Sequence, residues 1–340
     1  MHNTRRNPGI LLLMMCCTLI FISSCSSIDT PSTLIQSDIS TPVGGTLYTY
    51  HGHSNGITAV AWSPNGKYIA SAGFDKTVQV WNALTGQLYT VYRGHNNWVT
   101  AVSWSPDGKY IASAGFDKTV QIWEALTGRH ILTYYGHSDV VTDVNWSPDG
   151  NYLASSSYDK TVRVWSIGAN ATTHTILVYR GHSDWVMTAE WSPNGTYIAS
   201  SGLDKTIQIW NGITGKTLVR YHGHNGIVTG AMWSPDGDLI ASVSVDKSVQ
   251  MWNAFTGKTI WIGCCRLDWI NGIAWSPEGN YIATADTNQT VQIWDASTGT
   301  PMNTYLGHHR EVVAVSWSPN GKYIASGGDD GIVQVWRSLL

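Results

Sequence analysis

His95, Ser113 and Asp117 are the residue types of a hydrolase triad: a hydroxyl nucleophile, an imidazole base and a carboxylate that orients the base. Ser113 stands 18 positions after His95, Asp117 stands 22 after it, and Trp123 follows at 28. The same offsets recur in His53, Ser71, Asp75 and Trp81; in His137, Ser155, Asp159 and Trp165; and in His182, Ser200, Asp204 and Trp210. They recur again in His224, Ser242, Asp246 and Trp252, and in His308, Ser326, Asp330 and Trp336. An enzyme has no need of six identical active sites, so the repetition argues for a structural use of these groups. Metal binding is the other chemistry that histidines suggest, at His51/His53, His222/His224 and His308-His309. No cysteine or carboxylate spacing joins these pairs into a ligand set. Walker loops, dinucleotide fingerprints and nucleophile elbows are absent from the sequence. The chain is expected to hold no metal or cofactor and not to be an enzyme.

The elements that must position these residues are short strands. Residues 57–62 are β-branched and end in Trp62, and Ser63-Pro64-Asn65-Gly66 is a turn, with proline presetting φ and glycine accepting a positive one. Residues 68–71 form a second strand and Asp75-Lys76 a second turn. Residues 77–81 then alternate apolar and polar, and Leu84-Thr85-Gly86 turns the chain into a fourth strand at 87–91. The Trp-to-Trp period is 42 residues, except 45 between Trp165 and Trp210, where residues 166–174 replace the usual Thr-Gly turn and predict a longer loop. A seventh copy keeps Trp294 but has Arg266, Thr284 and Asn288 where the others have His, Ser and Asp. Its loops are expected to be the least protected. A repeat of this length, with four strands in each copy, is a propeller blade.

A Gly-His near each repeat start and a Trp near its end resemble the WD40 repeat family over residues 46–340, although the Trp-Asp dipeptide itself survives only at Trp294-Asp295. The resemblance implies an all-β, seven-bladed β-propeller whose six His, Ser, Asp and Trp sets are buried hydrogen-bonded tetrads. The last repeat supplies only three strands, and residues 47–50 are expected to complete the seventh blade and close the ring.

The same resemblance places two variable series on the wider-used binding face, around the central channel. The residue before each tetrad Asp, or before Asn288, runs Phe74, Phe116, Tyr158, Leu203, Val245, Thr287 and Asp329. The third residue after each His, or after Arg266, runs Gly56, Trp98, Val140, Trp185, Ile227, Trp269 and Glu311. Trp98, Trp185, Trp269, Phe74, Phe116 and Tyr158 are the rigid amphipathic side chains that dominate interface hot spots. Arg266, Asp268, Arg310, Glu311, Asp329 and Asp330 would form a charged sector beside them. The expected role is a non-catalytic scaffold that captures a protein or peptide segment, with a carbohydrate or cell-wall binder as the alternative and the propeller itself monomeric. An enzyme would need polar groups unique to one or two blades and converging on the channel; by sequence only the sixth and seventh repeats offer any, and none forms a recognised catalytic set.

Residues 1–24 stand apart. Arg5 and Arg6 precede an apolar run from Ile10 to Ile22, short for a membrane span and suited to a signal-peptide core. Ile22-Ser23-Ser24-Cys25 resembles the lipobox of bacterial lipoproteins, which implies cleavage before Cys25 and lipidation there. Residues 25–45 are rich in Ser, Thr, Pro and Gly and predict a tether with a reach of about 25 Å. The chain is expected to be exported and held at a membrane by its lipid. Of five cysteines only Cys264 and Cys265 would remain free, to pair with each other or to stay reduced. Without Arg5 and Arg6 the chain has 18 basic residues against 23 acidic ones, and this mildly acidic balance argues against nucleic acid as a partner.

Overall fold

The computed structural model describes residues 44–168, 171–264 and 268–338. The expectations placed on the signal segment, on Cys25, on most of the tether, and on Cys265 and Arg266 lie outside the described residues. Seven four-stranded antiparallel sheets make up the fold. The first consists of Ile57–Trp62, Tyr68–Gly73, Val78–Asn82 and Leu88–Tyr92. The first strand of each sheet packs on the first strand of the next, and Val312–Trp317 of the seventh packs on Ile57–Trp62 of the first. The sheets are therefore the blades of a closed propeller.

Composition explains the packing. The second strand of the first blade, Tyr68-Ile-Ala-Ser-Ala-Gly73, is buried from its second residue on. Its small side chains let the neighbouring sheet approach closely while Ile69 fills the gap. Each core cluster spans two consecutive blades: Val78 and Val80 of the first blade meet Ile111 and Trp123 of the second. The seam is packed in the same way, with Val333, Val335 and Tyr50 against Ile57 and Trp81.

The Ser-Pro-x-Gly turns do more than reverse the chain. Gly66 has φ 68°, and Ser63 Oγ donates to Asn65 Oδ1 at 2.8 Å. A Cβ built on Gly108 would touch Pro64 at 3.7 Å, and one on Gly66 would touch Pro319 at 3.7 Å, so these turns are linked around the ring. At the other end of the blades the left-handed position falls on Lys76, Lys118, Lys160, Lys205 and Lys247, with φ between 65° and 70°. The tetrad aspartates hold these lysines there: Asp75 Oδ1 accepts from Thr77 N at 3.0 Å and from Thr77 Oγ1 at 2.8 Å.

Thr46–Tyr50 supplies the fourth strand of the seventh blade, pairing antiparallel with Val333–Arg337 through Thr49↔Gln334 and Tyr50↔Val333. Two sheet edges are hidden by that pairing. The 45-residue interval differs from the sequence expectation. The extra residues lengthen the strands Val162–Ile167 and Thr173–Tyr179, which pair as far as Ile167↔Thr173, and the connecting turn stays short, with Gly168 N donating to Thr172 O at 2.7 Å. Added backbone groups pair within the hairpin, where a longer loop would leave them to solvent.

Candidate interaction face

Each of the six repeated sets is a hydrogen-bonded chain. His Nδ1 lies 2.8–3.0 Å from Asp Oδ2, and His Nε2 lies 2.8–2.9 Å from Ser Oγ. The Trp indole donates to the same Oγ at 3.0–3.3 Å. Because the indole can only donate, Ser Oγ accepts from it and turns its own hydrogen to His Nε2, leaving His Nδ1–H to donate to Asp. The polarity is that of a hydrolase triad, but the Ser side chains are wholly buried and each oxygen is already engaged. A substrate carbonyl has no path to them. Burial pushes the Asp75 carboxyl up, but bonds from His53, Thr77 and the Ser54 amide outweigh it and hold the pKa at about 2, and Asp204 is held at about 2 in the same way.

The network is larger than the sequence reading drew it. Tyr50, three residues before His53, stacks on Trp81 at 4.3 Å and donates from its hydroxyl to Gln79 Oε1 at 2.6 Å. Gln79 Nε2 in turn donates to Gly52 O at 3.1 Å. Tyr92, Tyr179, Tyr221 and Tyr305 repeat both contacts on their own Trp and Gln. This signal was present in the sequence, since Tyr precedes His by three residues in all six sets.

The sixth blade is rewired. Thr284 takes the indole bond of Trp294 at 2.9 Å. Asp286, two residues before Asn288, accepts from Thr290 N at 3.0 Å and from Thr290 Oγ1 at 2.6 Å. Gly263 stands where the other blades place the stacking Tyr, so this Trp lacks the ring that covers its counterparts.

The two variable series form one ring on the face that carries the His loops. Each residue before a tetrad Asp donates its amide to the carbonyl of its partner in the other series: Phe74 to Gly56, Phe116 to Trp98, Tyr158 to Val140 and Leu203 to Trp185, all at 2.8–3.0 Å. The ring continues with Val245 to Ile227, Thr287 to Trp269 and Asp329 to Glu311 at 2.9–3.1 Å. Four blades bring their aromatic rings into one arc. Phe74 meets Trp98 edge-on at 4.9 Å, Trp98 meets Phe116 at 5.1 Å, Phe116 meets Tyr158 at 6.5 Å, and Tyr158 stacks on Trp185 at 4.0 Å. Phe74, Trp98, Phe116 and Trp185 are half-buried, whereas Tyr158 is only 7% exposed and supports Trp185 from beneath. Trp269 is half-buried and stands outside this arc. Asp329 closes the acidic end: a Cβ on Gly56 would meet Asp329 Oδ1 at 2.6 Å and Phe74 at 3.1 Å, so the carboxylate lies beside the first ring of the arc. Burial and then the charges of Asp329 and Asp268 push the Glu311 carboxyl up. Asp330 belongs to the His308 tetrad and Arg310 is exposed.

Two carboxylates escaped the sequence reading. Asp143 and Glu190 lie in the innermost strands of the third and fourth blades, at places where other blades have residues such as Ala59, Ala101, Ala61 and Ala274. Asp143 Oδ2 accepts from Ala189 N at 3.1 Å and from Asn145 Nδ2 at 3.0 Å, and Glu190 Oε2 accepts from Trp233 N at 3.1 Å. Each carboxylate thus ties its blade to the next. Burial pushes Asp143 up to about 6; burial and then the Asp143 charge push Glu190 up to about 8. Polar groups unique to one or two blades therefore occur here as well as in the sixth and seventh.

Among the described residues no group of three or more His, Cys, Asp or Glu side chains is placed to hold a metal ion, and no helix is long and apolar enough to cross a membrane.

A stretch of 40 residues is 55% identical to the Notchless protein homolog of Arabidopsis thaliana, covering 12% of this chain and 8% of that protein. Another of 36 residues is 50% identical to the probable cytosolic iron-sulfur protein assembly protein Ciao1 of Culex quinquefasciatus, covering 11% of each. The chain spans about a tenth of either relative, roughly one repeat. The model of the Anaphase-promoting complex subunit 4 WD40 domain matches residues 231–309. That of the WD domain, G-beta repeat, matches residues 44–82, 86–124, 128–166, 173–211 and 299–337, more than half of the chain. With seven closed blades and six buried tetrads beside these matches, the chain belongs to the WD40 repeat family.

Proposed function

We propose that this propeller is a non-catalytic scaffold that captures a peptide segment of a partner protein on the face of the His loops. The observation that carries the reading is the aromatic arc from Phe74 to Trp185, held on a ring of backbone hydrogen bonds and bordered by Asp329 and Glu311. Half-buried rings on a rigid frame lose little conformational freedom on binding. The acidic end favours a partner whose apolar residues lie beside a basic one. In-cell crosslinking followed by affinity capture tests this, with wild type set against a Trp98→Ala, Trp185→Ala double variant. Loss of a defined partner from a variant of unchanged Tm supports the reading, and an unchanged capture profile overturns it.

The scaffold is further proposed to be exported and lipid-anchored through Cys25, on the strength of the apolar run and the Ile-Ser-Ser-Cys motif. Cys25→Ala is expected to move the protein from the membrane fraction to the soluble one. Equal partitioning of the two forms refutes the anchor.

A further inference from the structure

On the face opposite the His loops, a cleft of about 390 Å³ opens between the second and third blades. At three other interfaces the rings that correspond to its Tyr and Trp lie within 6.5 Å of each other. Tyr68 stacks near Trp104 at 6.5 Å, Tyr152 near Trp191 at 6.3 Å and Tyr323 near Trp62 at 6.4 Å. Tyr110 and Trp146, the corresponding residues, both line the cleft; here, as for Tyr197 with Trp233 and Tyr281 with Trp317, no such ring pair is found among the described residues. Trp146 is half-buried, while its six counterparts are 4–8% exposed. Its indole N–H has no partner, as in Trp62, Trp191 and Trp317, so the exposure of the ring is what sets Trp146 apart. One wall is the hairpin of the third blade, which carries Ile167 where the first two blades have Ala83 and Ala125, and Ile131 faces the cleft with it.

The polar part of the lining is acidic. Asp107 and Asp149 cap their turns and stand at the cleft. Asp107 is paired with Lys109 at 3.1 Å, whereas the contacts of Asp149 are Ser147, Asn151 N and Asn151 Nδ2, none of them a cation. Carboxylates can only accept, and the faces of Tyr and Trp rings are negative. Both features attract positive charge, and the isoleucines suit an apolar body.

We propose that this cleft binds a small organic cation, an alkylammonium group with an apolar body, between Tyr110 and Trp146 and beside Asp149. It is separate from the peptide-binding face and does not depend on that reading.

Calorimetric titration of the whole propeller tests the site with four probes: choline, Nα-acetyl-lysine methylamide, the neutral choline isostere 3,3-dimethylbutan-1-ol, and methyl glucoside. At least one cation is expected to bind about tenfold more tightly than either neutral probe. Choline binding without the lysine amide points to a free cation, and the reverse to a partner's side chain. Asp149→Asn is expected to weaken that cation about tenfold without unfolding the protein. Asn65, Asn194 and Asn320 fill the same turn position in other blades and accept the same Ser hydroxyl at 2.8 Å. Ile131→Phe, which fills the cleft from its rim, is expected to abolish binding. Equal affinity for choline and its neutral isostere, binding of methyl glucoside alone, no titration by either cation, or an Asp149→Asn variant of unchanged affinity overturns the proposal.

Discussion

Glu190→Gln is expected to stabilise the propeller, and to do so more as the pH rises. In the unfolded chain this carboxyl loses its proton near 4.5, whereas in the native state it keeps it to about 8. Between those values the native state binds more protons than the unfolded state, so stability falls with rising pH, by about 1.4 kcal/mol for each pH unit. Near pH 7 the penalty is on the order of 3 kcal/mol at most, and the solvent access that Glu190 retains lowers it to roughly 2 kcal/mol. Gln keeps an oxygen to accept from Trp233 N and cannot ionise. The tetrad aspartates act in the opposite sense: their lowered values give stability that is present above pH 4 and lost as the pH falls toward 2. Wild type should therefore lose stability at both extremes, and the variant only on the acid side. Denaturant titrations of both proteins at pH 5, 7 and 9 measure this, with Asp143→Asn as a second variant whose gain sets in near pH 4 and is complete a little above pH 6, so that it changes little from pH 7 to 9. A constant difference in stability between Glu190→Gln and wild type from pH 5 to 9 would refute the reasoning.

Ser113→Ala leaves the buried Trp123 indole and His95 Nε2 without partners, which costs roughly 2–5 kcal/mol and lowers Tm by several degrees; calorimetry of this variant beside exposed Ser54→Ala should show only the first shifting. Deleting residues 46–50 removes the strand that closes the seventh blade and should lower the Tm of the whole propeller, not of one blade; an unchanged melting temperature rules that closure out. Hydrogen exchange at residues 286–290 should be faster than at the equivalent turn of the second blade, because the sixth lacks the Tyr that stacks on its Trp, and equal protection in the two turns defeats this expectation.

What the sequence reveals and what it conceals divides along the period. His95, Ser113, Asp117 and Trp123 are legible because the pattern is written six times, and a group with the same neighbours in six places must have the same geometry in each. Strand order, turn positions and ring closure follow from that repetition. A deviation appears only once, and its meaning depends on which neighbour it faces. Asp143 reads as a polar residue on a strand until the fold sets it against Ala189 N of the next blade, where burial shifts its titration. The residues added after Ser166 read as a loop until pairing shows that they extend the two strands of a hairpin, whose Ile167 lines a cleft. Trp98 and Phe116 are 18 positions apart in the sequence, yet the fold places their rings 5.1 Å apart, and Tyr158 in the same series turns inward because Trp185 covers it. Within a repeat scaffold, positions that agree determine the frame and positions that differ determine what it binds. The sites where a deviating residue meets its neighbours, at the aromatic arc, at Asp143 and Glu190, and at the cleft that Ile167 lines, need the structure to be seen.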